Sequence, residues 1–353
     1  LDGDSITYTY NWYDGSNALQ QSYANTTDTM DVFLGAGTTA GTWTCEVIAS
    51  DGSLDAITTE SISVDSAWNG TATFSNCGKT GKDGPSQANC DSAYSGSSID
   101  GQVTVTGGIQ YWTVPSSGMY RIEAQGARGG GNGGLGARMR GDIALSSGDV
   151  LKIVVGQQGG AAGNSVGNGG GGGTFVALDD NTPLIVAGGG GGTGHNNAYS
   201  GTSSLNGVTS TSGVNGMGSG SSSGGTNGNG ASASQTSTGS TANGGGGAGF
   251  YGDGGSSNLG NGHANGGLSF VNGAVGGNST GGFGGGGGSD LFIYGCGSSP
   301  HGGSGGGGYS GGGAGGFNCN GGGGGGGSYN NGINQSNTAG VNSGHGSVSI
   351  NKL

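Results

Sequence analysis

The sequence predicts an all-β chain of two domains, the second built around packed runs of glycine. Three observations carry this expectation. Short segments that alternate apolar and polar residues, rich in Val, Ile, Thr and aromatics, recur between Gly, Asn and Asp turns. No stretch carries the 3.6-residue apolar period of an amphipathic helix, so helices should be nearly absent. Glycine supplies 97 of the 353 residues, and only 15 of those lie in residues 1–125. Charge is distributed the other way: beyond residue 180 there are only Asp253, Asp290 and Lys352.

Residues 1–65 read as one small domain. Ile6 to Tyr13 alternates and ends at the Asp14-Gly15 turn; Thr42 to Ser50 alternates and ends at Asp51-Gly52; Ile57 to Val64 follows. Strands at this spacing, joined by Asp-Gly turns, predict an immunoglobulin-like β-sandwich. The phrases LDGDSITYTYNWYDG and GTWTCEVIASDGS resemble the PKD/Ig-like repeats of large bacterial surface proteins, which implies a spacer role. The carboxylates of Asp2, Asp4 and Asp51 sit near turns, and hard oxygen ligands in such places suit calcium. The plainer alternative is that these acidic turn residues are solvated. The chain opens at Leu1 without an initiator methionine and reads as a piece of a longer protein.

Ser66 to Gly70 reads as a junction, and a glycine-rich domain is expected over 66–353. Strands are predicted at Gln102–Thr106, Ile109–Val114, Met119–Gln125, Met139–Leu145, Val150–Val155, Thr174–Leu178 and Leu184–Ala187, with a last one over Gly346–Ile350. In the third of these, Tyr120, Ile122 and Ala124 should face one way and Arg121, Glu123 and Gln125 the other. Between the strands lie glycine runs at 169–173, 188–192, 244–247, 284–288, 305–308 and 321–327. Composition alone would make them flexible linkers. However, they abut apolar strands, and Phe250, Tyr251, Phe283, Tyr309, Phe317 and Tyr329 border them. Oligoglycine has an ordered alternative, the polyproline-II helix with three residues per turn. Without Cβ atoms such helices approach closely and hydrogen-bond to several neighbours, so their buried backbone groups are satisfied. A packed bundle of these helices is therefore expected, with a long Ser/Thr/Asn/Gly loop over about 200–243.

Five cysteines are present. Cys77 and Cys90 bracket a stretch with no hydrophobic pattern of its own, where a disulfide would hold the loop. Cys296 and Cys319 flank a second glycine-rich stretch and form the natural second pair. Cys45 is left as a buried thiol in an alternating strand. Two disulfides imply an oxidising, extracellular setting, and no spacing here suits zinc.

The ordered set of segments FSNCG, GP, CD, YSG, WTVP, YRI, GA and VGQQG between Phe74 and Gly159 resembles the glycine-rich extracellular domain of the anaplastic lymphoma kinase and leukocyte tyrosine kinase receptors. The later blocks Gly169–Val176, Pro183–Gly192, Gly281–Gly288 and Gly295–Gly308 follow in the same order. This resemblance implies a TNF-like β-jelly roll with an inserted polyglycine helix bundle, and, in the receptors, binding of a cytokine. Similar domains also occur in bacterial surface proteins.

Several function classes are excluded. A net charge of −12 argues against nucleic acid, and no apolar run approaches a membrane span. The glycine-rich half lacks the paired carboxylates or nucleophile–base sets that catalysis needs. The histidines His195, His263, His301 and His345 are isolated, and Gly78-Lys79-Thr80 has Thr73 where a P-loop needs glycine. The expectation is a non-enzymatic structural or adhesive module of a bacterial cell-surface or secreted fibre. The alternative is a receptor ectodomain that binds a polypeptide ligand. Partners would be other copies of the chain, in a homo-oligomer or filament, or a cell-surface glycan or protein. Candidate contacts are the basic cluster Arg128, Arg138 and Arg140 and the aromatics Tyr309, Phe317 and Tyr329. The cluster has a blander reading as donors to loop carbonyls around the bundle. No cofactor is expected beyond the calcium already mentioned.

Overall fold

The computed structural model describes residues 5–32, 41–64, 68, 70–161, 167–234, 244–257, 264–278, 280–289, 302–316 and 321–353. They are nearly all β. The chain divides into two compact units, Leu1–Asn69 with Gly96–Gly101, and Gly70–Ser95 with Gln102–Leu353.

The first unit holds β1 (Thr7–Tyr13), β2 (Leu19–Thr26), β3 (Gly41–Ser50) and β4 (Asp55–Val64) in one antiparallel sheet of order β2-β1-β3-β4. Tyr10 and Trp43 are its buried centre. The Asp-Gly turns form as the sequence requires: Asp14 Oδ1 accepts from the Ser16 and Ala18 amides, and Asp51 Oδ1 from the Ser53 and Leu54 amides. The second sheet of an immunoglobulin-like sandwich is not among the described residues.

The second unit contains β5 (Thr71–Phe74), α1 (Gln87–Tyr94), β6 (Val103–Thr106), β7 (Ile109–Thr113), β8 (Gly118–Gln125), β9 (Gly136–Leu145), β10 (Val150–Val154), β11 (Thr174–Leu178), β12 (Pro183–Ala187), β13 (Tyr329–Asn330), β14 (Thr338–Asn342) and β15 (Ser347–Lys352). They form a six-stranded sheet, β13-β12-β11-β10-β7-β6, and a five-stranded sheet, β14-β9-β8-β15-β5. Tyr120, Ile122 and Ala124 on β8 are buried, as are Met139 on β9, Val348 and Ile350 on β15, and Phe74 on β5; β11 and β12 of the six-stranded sheet pack against β8 and β9. The six-stranded sheet is covered on its other side too. There Val154, Phe175, Ala177 and Val186 pack against Phe250, Phe270, Ala274 and Phe283 from the glycine-rich segments. Burial on both faces explains why β11 and β12 read as continuous apolar runs instead of alternating ones.

α1 is a helix that the apolar pattern does not show. Its drivers are local: Ser86 caps it in a reciprocal capping box with Asn89, and the Cys77–Cys90 disulfide ties it to the strand region. Tyr94 at its end donates to Gln110 Oε1 (2.6 Å), and its hydroxyl accepts from the Ser75 amide (3.0 Å). Cys296 and Cys319 lie outside the described residues. Cys45 is a half-buried free thiol, its pKa pushed up by burial and by Asp31.

The glycine runs are buried rods with a period of three. Along 303–309, the amides of Gly303, Gly306 and Tyr309 donate to Gly321, Gly324 and Gly327 of one neighbour (2.7–2.9 Å). Those of Ser304 and Gly307 donate to Asn168 and Gly171 of a second, and those of Gly305 and Gly308 to Gly245 and Ala248 of a third. Neighbours also run antiparallel, as where Gly189 and Gly192 donate to Gly307 and Ser304. Every third residue thus addresses the same rod, which is the polyproline-II repeat. Glycine is required where rods touch: a Cβ on Gly170, Gly191 or Gly306 would fall on a neighbour's carbonyl, closer than 3.0 Å.

The stretch expected as a long loop corrects that expectation over its described part, 200–234. Leu205 is fully buried, and Leu205, Val214 and Met217 accept from the amides of Gly191, Gly313 and Gly316. This stretch supplies further rods to the bundle. Gly213, Gly216 and Gly224 occupy its close approaches to neighbouring rods.

Candidate ligand-binding face

All four arginines of the chain, Arg121, Arg128, Arg138 and Arg140, lie on β8, β9 and the turn between them. The strands pair with Arg121 opposite Asp142, Glu123 opposite Arg140, and Gln125 opposite Arg138. The intervening residues Ile122, Ala124 and Met139 are buried, so strand alternation points this set outward from the five-stranded sheet.

One pair on this face is structural. Arg121 donates from Nε and Nη2 to Asp142 Oδ1 and Oδ2 at 2.8 and 2.9 Å, and Asn334 Nδ2 donates to Oδ2 at 3.0 Å. The Asp142 side chain is only 2 % exposed. Its pKa is lowered from 3.8 to about 2, first by the Arg121 hydrogen bond, then by that of Asn334. Because the folded value is depressed, this carboxylate stabilises the fold above its ordinary pKa. That contribution is lost as pH falls from 3.8 through about 2. Urea titrations across this interval should therefore show a steeper acid loss in the wild type than in Asp142→Asn.

Residues 330–337 strap the edge of β9. Ile333 exchanges two backbone hydrogen bonds with Asp142, and Asn330 Nδ2 donates to the Arg140 carbonyl. Arg128 follows the bland reading, donating to the Gly133 carbonyl and Asn132 Oδ1 at 3.3 Å each. Arg138 and Arg140 differ. Arg138 Nη2 reaches Thr338 Oγ1 at 3.2 Å, and Nε of both arginines is buried without a hydrogen-bond partner among the described residues, which leaves the outer ends of the guanidinium groups to meet a ligand. The two arginines sit two residues apart on one face of β9, and guanidinium groups grouped on one face suit a carboxylate-bearing ligand.

The other candidates fall elsewhere. Tyr309 and Tyr329 stack on each other, with ring centroids 4.8 Å apart, against the apolar cluster; that packing explains their place at the rod ends. Phe317 is outside the described residues, as are Asp2 and Asp4. Asp51 spends its carboxylate on turn amides, which hold its pKa down. Among the described residues no group of three His, Cys, Asp or Glu side chains is placed to hold a metal ion, and no helix is long and apolar enough to cross a membrane. His345 Nδ1 accepts from the Gln158 amide, and burial lowers its pKa. Sequence reasoning left Arg121, Asp142 and Asn334 out of the candidate set, since Asn334 is 192 residues from Asp142 and nothing local links them.

No family model matches this chain. Over 95 residues it is 41 % identical to the leukocyte tyrosine kinase receptor of Mus musculus. The likeness covers 24 % of this chain and 11 % of the receptor. The chain is thus similar, over a short segment, to a receptor that it spans in small part.

Proposed function

We propose that this chain is a non-enzymatic extracellular recognition module of the receptor-ectodomain kind, binding a polypeptide ligand on the outward face of its five-stranded sheet. The observation that carries this reading is the pair Arg138 and Arg140, set two residues apart on the outward face of β9. The likeness to a receptor segment and the Cys77–Cys90 disulfide support an extracellular place for it. They also favour this reading over the surface-fibre one, which rests on composition and on the PKD-like phrases. The rod bundle then serves as a stiff support behind the sandwich.

Biolayer interferometry with immobilised synthetic polypeptides bearing Asp/Glu clusters tests the proposal. The chain should bind, and Arg138→Gln/Arg140→Gln should weaken binding about tenfold or more, with circular dichroism showing that the double variant stays folded. Equal binding by the double variant would remove these arginines from the reading.

A further inference from the structure

Unpaired sheet edges are the places where one chain borrows hydrogen bonds from another. Most edges in this molecule are blunted. β13 has two residues, β5 and β6 have four each, β14 breaks register against β9, and β2 breaks register twice against β1. β4 is the exception. It runs ten residues in unbroken register with β3, from Gly41 opposite Val64 to Ser50 opposite Asp55, and pairs with no other strand among the described residues. Every residue from Asp55 to Ile62 is exposed, Ile57 at 63 % and Ile62 at 60 %. The strand contains no proline, no lysine and no bulge, the usual guards of an edge.

We infer that β4 is a self-association strand, pairing antiparallel with β4 of a second copy across a two-fold axis normal to the sheet. Residues directly opposite in a sheet share a face, so a symmetric register must be centred on one residue. The two central choices are Thr59 and Glu60. Centring on Glu60 sets two carboxylates against each other. Centring on Thr59 sets it against its own copy, Thr58 against Glu60, Ala56 against Ile62, and Ile57 against Ser61. Each charge then meets a neutral residue, Ile62 gains apolar cover, and a Thr–Thr pair forms at the centre. This self-complementarity is the reason to name a second copy as the occupant. A single added strand buries less than the roughly 1,200 Å² of a standard interface, so the dimer is weak and forms at high local concentration. The inference concerns the first unit and does not depend on the ligand proposed for the second.

Sedimentation velocity of the full chain across increasing concentration tests it. The wild type should move from monomer to a discrete dimer. Thr59→Lys and Thr59→Glu should each remain monomeric; Glu46, opposite Thr59 on β3, makes the glutamate the harsher change. An equimolar mixture of the two variants should recover the dimer, because lysine then faces glutamate. Circular dichroism checks that both are folded, and oxidation of Thr59→Cys provides a second route, trapping a covalent dimer faster than Ser53→Cys. A wild type that stays monomeric overturns the inference. So does a dimer that Thr59→Lys and Thr59→Glu leave intact, growth into polydisperse aggregate, or equal trapping of the two cysteine variants.

Discussion

Gly324→Val should lower the stability of the second unit by about 3 kcal/mol or more, because it forces a branched side chain into backbone. A Cβ at this position falls on the Val214 carbonyl, with Asn215 O only 2.8 Å away. Neither neighbour can retreat cheaply. The Val214 oxygen already accepts from Gly313 at 2.8 Å, and Gly324 itself donates to Gly313 at 2.7 Å and accepts from Gly306 at 2.9 Å. Relieving the overlap therefore breaks hydrogen bonds in several rods at once, each leaving a buried polar group unsatisfied. Thermal denaturation followed by near-ultraviolet circular dichroism should show a fall on the order of 5–10 °C. Gly344→Ala is the control. Its nearest non-neighbour atom would be Asn342 Oδ1 at 3.8 Å, so it should stay within about 0.5 kcal/mol of wild type. Equal melting of Gly324→Val and the control would mean that the rods are not packed as described.

Removing the Cys77–Cys90 disulfide, by Cys77→Ser with Cys90→Ser, should cost about 3 kcal/mol. The cross-link closes a segment of sequence separation 13, and chain entropy alone gives that magnitude for a loop of this size. α1 is eight residues long, well below the length at which a helix holds itself together in water. Without the disulfide it keeps the Ser86–Asn89 capping box, the Gln87 hydrogen bonds with Val103 and Val105 of β6, and the Tyr94 contacts with Ser75, Gln110 and Phe74. Differential scanning calorimetry of the double variant should show the lowered transition, and dithiothreitol should lower that of the wild type at least as far. No shift in either would assign the stability of this segment to the helix contacts alone.

How much of this was legible depends on whether side chains carry the information. β8 was readable residue by residue, because Tyr120, Ile122 and Ala124 alternate with Arg121, Glu123 and Gln125. β11 and β12 were readable as strands, but an apolar run cannot say that an aromatic cluster from distant segments covers its second face. α1 was invisible to periodicity, since a capping box and a covalent tie replace the apolar stripe. β2 and β14 were hidden by polar residues and by Gly340. The rods themselves could be expected from their aromatic borders and flanking strands. Which rod touches which could not, because glycines offer no side chain to distinguish one neighbour from another. The arginine cluster was visible as a concentration of charge. Its division into the Arg121–Asp142 pair, the loop-bound Arg128 and the two arginines set together on the outward face of β9 needed the register of β8 and β9.

The threefold address of the rods also constrains how such a sequence can change length. One residue inserted into 303–309 would turn every later amide by a third of a revolution, so that Gly306 would aim at the rod that Gly307 now serves. A frame of three would keep each amide on its own neighbour. Within the rods, then, viable insertions and deletions come in triplets, a reading frame written in hydrogen bonds instead of codons, and the turns between rods are where single residues can be gained or lost.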